Sequence, residues 1–175
     1  MAFYTSIEVT SYYWERSVNE PSSMFTSQTN PGTDVAAATE SPYQGEPRVL
    51  IVDDDEEVRH TVTSVLDGRF HVVGAAENGQ QALELAALLC PDLIVLDICM
   101  PVLDGIAAAV QLRKCGYPGK IVFLSMQDDP DFIEAALAAG ALGYVLKCSV
   151  RTDLTPAILL ALDGKSFVSP ALCWH

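Results

Sequence analysis

Four short aliphatic runs in this sequence each end in a polar side chain: VLIV (49–52) in Asp53-Asp54-Asp55, LIVL (93–96) in Asp97, IVFL (121–124) in Ser125 and YVL (144–146) in Lys147. Carboxylates crowded at one spot repel one another, and the usual remedy is a hard divalent cation with oxygen ligands. Mg2+ suits such a spot, because it takes one or two carboxylates and keeps waters and a phosphate oxygen at its other positions. A lysine and a hydroxyl facing that cation would complete a nest for a phosphoryl group, each compensating a different oxygen. Asp97 is then the natural nucleophile, since a carboxylate can attack phosphorus and form an acyl phosphate. Taken singly, each residue has a plainer reading, because Asp and Ser cap helices and a lone lysine is usually solvated. The argument rests on all four recurring at the same place in their segments.

The elements that must position these groups follow from periodicity. Runs suited to buried strands occur at VLIV, FHVVGAA (70–76), LIVL, IVFL and YVL. Between and after them lie segments with helical spacing: EEVRHTVTSVLDG, with Val58, Val62, Val65 and Leu66 on one face; NGQQALELAALLC, with Ala82, Leu85, Ala86 and Leu89; then GIAAAVQLRKCG, DPDFIEAALAAG and RTDLTPAILLALDG. Pro156 in the last of these is expected in the first helical turn. Five strand-helix units with crossover helices imply an α/β fold, a five-stranded parallel sheet in a three-layer sandwich. In such sheets the site lies beyond the carboxyl ends of the strands, which brings the four clusters to one edge.

Length and charge limit the rest. The chain has 175 residues, half of them hydrophobic, and a formal net charge of −13. That is enough for one domain plus a tail, and the acidity argues against binding nucleic acid or an anionic membrane. The N-terminus has no basic region followed by an apolar one, so a soluble, cytoplasmic protein is expected. Cys90, Cys99, Cys115, Cys148 and Cys173 lack metal-ligand spacing and are odd in number, which favours reduced thiols. Residues 1–46, rich in Ser, Thr, Asn and Pro, are read as a flexible tail, with Phe3, Tyr4, Tyr12, Tyr13 and Trp14 as a possible docking motif.

PDLIVLDICMPVLDG (91–105), preceded by VDDDEEVR and followed by LSMQDD (124–129) and AGALGYVLK (139–147), closely resembles the receiver domain of bacterial two-component response regulators. The resemblance covers about residues 47–164 and implies the flavodoxin-like strand order 2-1-3-4-5. It makes Asp53 and Asp54 the acidic Mg2+-binding pair and Asp97 the phosphoacceptor. Ser125 becomes the switch hydroxyl, Tyr144 the rotating aromatic, Lys147 the phosphate-binding lysine, and the backbone carbonyl of Cys99 a further metal ligand. Met100-Pro101 and Asp104-Gly105 match the loop that shapes the pocket floor. Asp55 and Glu56 are expected to begin the first helix instead, where acids suit the dipole. The partners implied are a sensor histidine kinase or phosphotransfer protein, with output through a homodimer or a separate effector on the face formed by residues 131–163. Phe132, Ala135, Ala136, Ala157, Leu160 and Ala161 would supply its apolar excess.

Two residues depart from the family pattern. Cys148 follows Lys147 where the family often has a cis proline, so a trans bond is expected. Met126 stands where a small residue is common. The branch most resembled carries a LuxR-type helix-turn-helix effector joined through a linker like GKSFVSPAL (164–172), so residues 165–175 are read as a linker remnant and the chain as lacking the effector. Two alternatives remain. One is a receiver-like interaction module that is not phosphorylated, although neither the acceptor, the acidic pair nor the lysine is missing. The other is a haloacid-dehalogenase-type phosphatase, for which Asp53 would be the nucleophile and Glu57 stands where Thr or Val is needed.

Overall fold

The structure is a computed structural model that describes residues 45–172, so nearly all of the expected tail, with its aromatic residues, lies outside the described part. Strands β1 (Arg48–Val52), β2 (His71–Ala76), β3 (Leu93–Asp97), β4 (Lys120–Ser125) and β5 (Gly143–Leu146) alternate with helices α1 (Glu56–Leu66), α2 (Gly79–Leu89), α3 (Gly105–Lys114), α4 (Pro130–Ala138) and α5 (Val150–Leu162). All strand pairings are parallel and the order is β2-β1-β3-β4-β5, the doubly wound arrangement anticipated from the alternating elements.

The aliphatic runs carry no polar residue because both faces of the sheet are covered. Leu50, Val52, Ile94, Leu96, Ile121 and Phe123 point to one side, where Ala82 and Ala86 of α2, Ala108 and Leu112 of α3 and Ala136 of α4 close over them. Val49, Ile51, Leu93, Val95, Val122 and Val145 point to the other, under Val62 and Leu66 of α1 and Leu154, Ile158 and Ala161 of α5. The period-2 alternation of the strands therefore sorts neighbouring residues into two separate cores.

Helix starts are set by side-chain caps. Asp55, Asn78, Asp104 and Asp129 each accept a backbone N–H from the first turn of α1, α2, α3 and α4 respectively. For Asp55 this confirms that the third aspartate begins the helix, with Glu56 and Glu57 in its acidic first turn.

Two features differ from expectation. A 3-10 turn, Lys147–Ser149, runs straight into α5, so the helix starts at Val150 and Pro156 falls in its second turn. There Pro156 withholds an N–H from the carbonyl of Thr152. Both residues are exposed, so water can serve that carbonyl. The second difference is a sixth strand, β6 (Phe167–Val168), which pairs parallel with the outer edge of β5. Two residues are too few to show a period, and β6 lies in the segment read as a linker.

Replacing Phe123, fully buried in the centre of the sheet, with Ala is expected to destabilise the fold by about 3–5 kcal/mol. Leu88→Ala, at a position 71% exposed, should change it by less than about 0.5 kcal/mol. Urea unfolding of the two variants checks the pair.

Candidate functional site: an acidic pocket closed by a lysine

Strand register delivers the polar ends to one place. Val52 pairs with Leu96, Asp97 with Leu124 and Ser125 with Leu146, so Asp53, Asp97, Ser125 and Lys147 step across the carboxyl edge of β1, β3, β4 and β5. Asp53, Asp97 and Ser125 are almost wholly buried and Asp54 is exposed. Ligand oxygens of Asp53, Asp54 and Asp97 all lie within 4.8 Å of one another. Opposed ligands of a Mg2+ ion stand about 4 Å apart, so this donor set fits that cation with small adjustment.

The loop 98–104 follows Asp97 directly and leads into α3. Gly105 N–H donates to the Ile98 carbonyl at 2.9 Å, and a Cβ at Gly105 would collide with the Asp97 carbonyl oxygen. Only glycine permits that approach, as the Asp-Gly pair in the sequence suggests. Asp104 is used as the cap of α3.

Lys147 holds the centre. Its Nζ is 2.8 Å from Asp53 Oδ2 and 3.0 Å from Asp97 Oδ2, and Asp53 Oδ2 has no well-formed hydrogen bond besides that ion pair. Asp97 Oδ1 accepts the Ile98 N–H at 2.7 Å. Burial pushes the Asp97 carboxyl above the ordinary carboxylate value, and this outweighs the hydrogen bond and charge of Lys147; the Asp53 charge adds to the rise. For Lys147, burial acts to lower the pKa, but the hydrogen bonds and charges of the two carboxylates together raise it, so the ammonium stays protonated.

Ser125 and Tyr144 lie beside this cluster; both bond to Gln127, and the Ser125 side chain also acts directly on the Tyr144 hydroxyl, working against the burial that raises its pKa. The Ser125 hydroxyl oxygen accepts the Gln127 N–H at 3.0 Å, and the Tyr144 hydroxyl donates to the Gln127 carbonyl at 2.9 Å. The Tyr144 ring is fully buried, and burial pushes its hydroxyl pKa up. The Cys99 and Cys148 thiols are exposed, with Gln127 Nε2 3.8 Å from Cys99 Sγ. Arg59, which the sequence does not mark out, donates from Nη1 to the Asp53 carbonyl at 2.8 Å and so fixes the end of β1. It works on a backbone oxygen, an interaction that side-chain type does not signal.

The fold and the pocket together define a doubly wound α/β module with an acidic, lysine-bridged site at its strand ends. Residues 49–159 match the response regulator receiver domain family, and the chain belongs to it. It is 36% identical over 134 residues to the probable transcriptional regulatory protein NarL of Mycobacterium tuberculosis, covering 75% of this chain and 62% of that one. It is 37% identical over 126 residues to the nitrate/nitrite response regulator NarL of Escherichia coli K12, covering 71% and 58%. The chain thus spans about three fifths of the length of these relatives. Among solved structures, a LuxR-family response regulator from Aurantimonas sp. SI85-9A1 superposes with a TM-score of 0.70 at 30% identity, covering 74% of this chain and 94% of that one. The receiver domain of the putative M. tuberculosis NarL superposes at 0.65 with 36% identity, covering 69% and 98%. Receiver domains are signalling modules of two-component systems, and they bind Mg2+ at an acidic pocket such as this one.

Because the Asp97 pKa is raised in the fold, its ionisation opposes folding. Below the ordinary carboxylate pKa both states are protonated and nothing is lost; as pH rises through the raised value, stability falls. Without Mg2+, Asp97→Asn should therefore be more stable than the parent near neutral pH, with the gain vanishing below about pH 4. Unfolding free energies between pH 3 and 8 check this.

Proposed function

We propose that the protein accepts a phosphoryl group on Asp97 from a phosphohistidine of a sensor histidine kinase or phosphotransfer protein, and that the phosphorylated form changes its association with other proteins. The observation that carries this reading is the Lys147 ammonium between Asp53 and Asp97, with the Asp54 carboxylate beside them. An Asp97 carboxylate oxygen attacks phosphorus; the O–P bond forms as the bond to the donor imidazole nitrogen breaks, that nitrogen takes the bonding electron pair, and the proton on the other ring nitrogen leaves the imidazole neutral. Asp53, Asp54, Asp97 and the carbonyl of Cys99 would hold Mg2+, whose positive charge would offset the three carboxylates against an anionic donor. Lys147 moves from the carboxylates toward a phosphoryl oxygen, and the Ser125 hydroxyl donates to another.

Turning Ser125 toward the phosphoryl group removes the acceptor of the Gln127 N–H, and the carbonyl of that same residue holds the Tyr144 hydroxyl. The chemical state of Asp97 is thereby felt at β4, β5 and α4. On the 131–163 face Ala136, Ala157 and Ala161 are buried and Phe132, Ala135 and Leu160 half-buried, so they are used by the fold; Leu137 and Leu159 are the large exposed apolar side chains there. A homodimer or a separate effector docking on α4 and α5 fits these positions. The net charge of −13 argues against nucleic acid binding by the chain itself. No helix among the described residues is long and apolar enough to cross a membrane, in keeping with a cytoplasmic module. A phosphatase reading with Asp53 as nucleophile would need Asp55 as its acid, but Asp55 is committed to capping α1.

Incubation with Mg2+ and a small phosphodonor such as acetyl phosphate should add one phosphoryl group, labile to hydroxylamine, as mass spectrometry would show. Asp97→Asn should abolish it, whereas labelling that persists in that variant, or moves to Asp53, would refute the assignment.

A further inference from the structure

The turn that presents the Lys147 ammonium has little to stiffen it from within. No bond in it is cis, Cys148 rather than proline follows the lysine, and the Cys148 side chain is exposed. The restraint comes from a residue well beyond α5. Ser169 is fully buried; its Oγ accepts the Leu146 N–H at 3.2 Å and donates to Asp153 Oδ2 at 2.6 Å. Thr152 Oγ1 is within hydrogen-bonding distance of both Asp153 Oδ1 (2.9 Å) and the Ser149 carbonyl (3.1 Å). Leu146 just before the lysine is thus joined through Ser169 to Asp153 in the first turn of α5, and the single Thr152 hydroxyl proton lies between the Asp153 carboxylate and the carbonyl of Ser149 at the end of the turn. Ser169 is itself held by its backbone, whose N–H donates to the Tyr144 carbonyl at 2.9 Å, while Phe167 N–H donates to the Leu142 carbonyl at 2.8 Å.

We propose that Ser169 is a positioning residue for phosphoryl transfer: its hydroxyl clamps both ends of the turn that aims Lys147 at Asp53 and Asp97, which makes the β6 segment part of the acceptor machinery rather than a linker. A buried hydroxyl with a donor on one side and a carboxylate on the other is oriented by both, and an ammonium shared between two carboxylates tolerates little displacement. Lys147 competes with a cation for the carboxylates of Asp53 and Asp97, so loosening the clamp should slow transfer without weakening cation binding.

This inference rests on the phosphoacceptor reading, and its test separates the two. In the full chain, Ser169→Ala should slow phosphorylation by acetyl phosphate roughly tenfold without raising the Mg2+ dissociation constant, read by calorimetry. Asp153→Ala should do the same, and the double variant should be no slower than the slower single one, as members of one unit behave. Hydrogen exchange read without any phosphodonor should be faster at the amides of residues 147–149 in both variants, and this holds whether or not the parent takes up phosphate. Should Ser169→Ala fail to fold, Asp153→Ala carries the same comparison. Unchanged exchange in the turn, unchanged phosphorylation beside a labelled parent, or transfer and Mg2+ affinity falling together would each overturn the proposal. A parent that takes no label at all, with the exchange effect present, would count against the phosphoacceptor reading and leave the clamp standing.

Discussion

Two buried carboxylates on adjacent strands coexist in this fold because one ammonium stands between them. Asp53 and Asp97 emerge from β1 and β3, and neither is open enough to water to be solvated on its own. An unpaired buried charge is strongly destabilising, so the contacts of Lys147 with both acids are what make the acidic edge compatible with a folded protein in the absence of a cation. The balance is incomplete by design of the site: burial still raises the Asp97 pKa despite the lysine. A cation and a phosphoryl group can therefore improve on the resting arrangement, which is the physical opening for function.

The rest of the architecture can be understood as what that ammonium requires. The two cores on either side of the sheet fix the strands in register, and register is what sets Lys147 opposite its acids. Arg59 pins the carbonyl of Asp53 from α1, Gly105 lets the loop 98–104 close against Asp97, and Asp55 and Asp104 are withdrawn from the pocket to cap helices. Beside the pocket, Gln127 joins Ser125 to Tyr144, so that a hydroxyl facing the site and a ring in the core share one piece of backbone. On the proposed reading, a change at one would be transmitted by rearranging hydrogen bonds rather than by deforming a packed core.

Much of this was legible in the chain because a doubly wound sheet places strand ends together by topology alone. Asp53, Asp54, Asp97, Ser125 and Lys147 could be assembled from their common position after aliphatic runs, and the capping role of Asp55 followed from its acidic neighbours. What escaped did so for particular reasons. β6 is two residues long and has no period to detect, and Ser169 is an ordinary serine until the strand carries it beside Leu146 and Asp153. Arg59 binds a carbonyl, an interaction indifferent to motif. The apolar excess expected on residues 131–163 is reduced because Ala136, Ala157 and Ala161 are buried and Phe132, Ala135 and Leu160 half-buried. Pro156 was misplaced by one turn because the 3-10 turn after Lys147 merges with α5 without a break.

The central claim is that Lys147 compensates the buried charge of Asp97, and a carbon-13 NMR titration of the Asp97 carboxyl tests it directly. In the parent without Mg2+ the midpoint should lie above the ordinary carboxylate value. In Lys147→Met it should rise further, because burial and the Asp53 charge then act unopposed, and added Mg2+ should bring it down in both proteins. A midpoint unmoved by the loss of Lys147 would contradict the account.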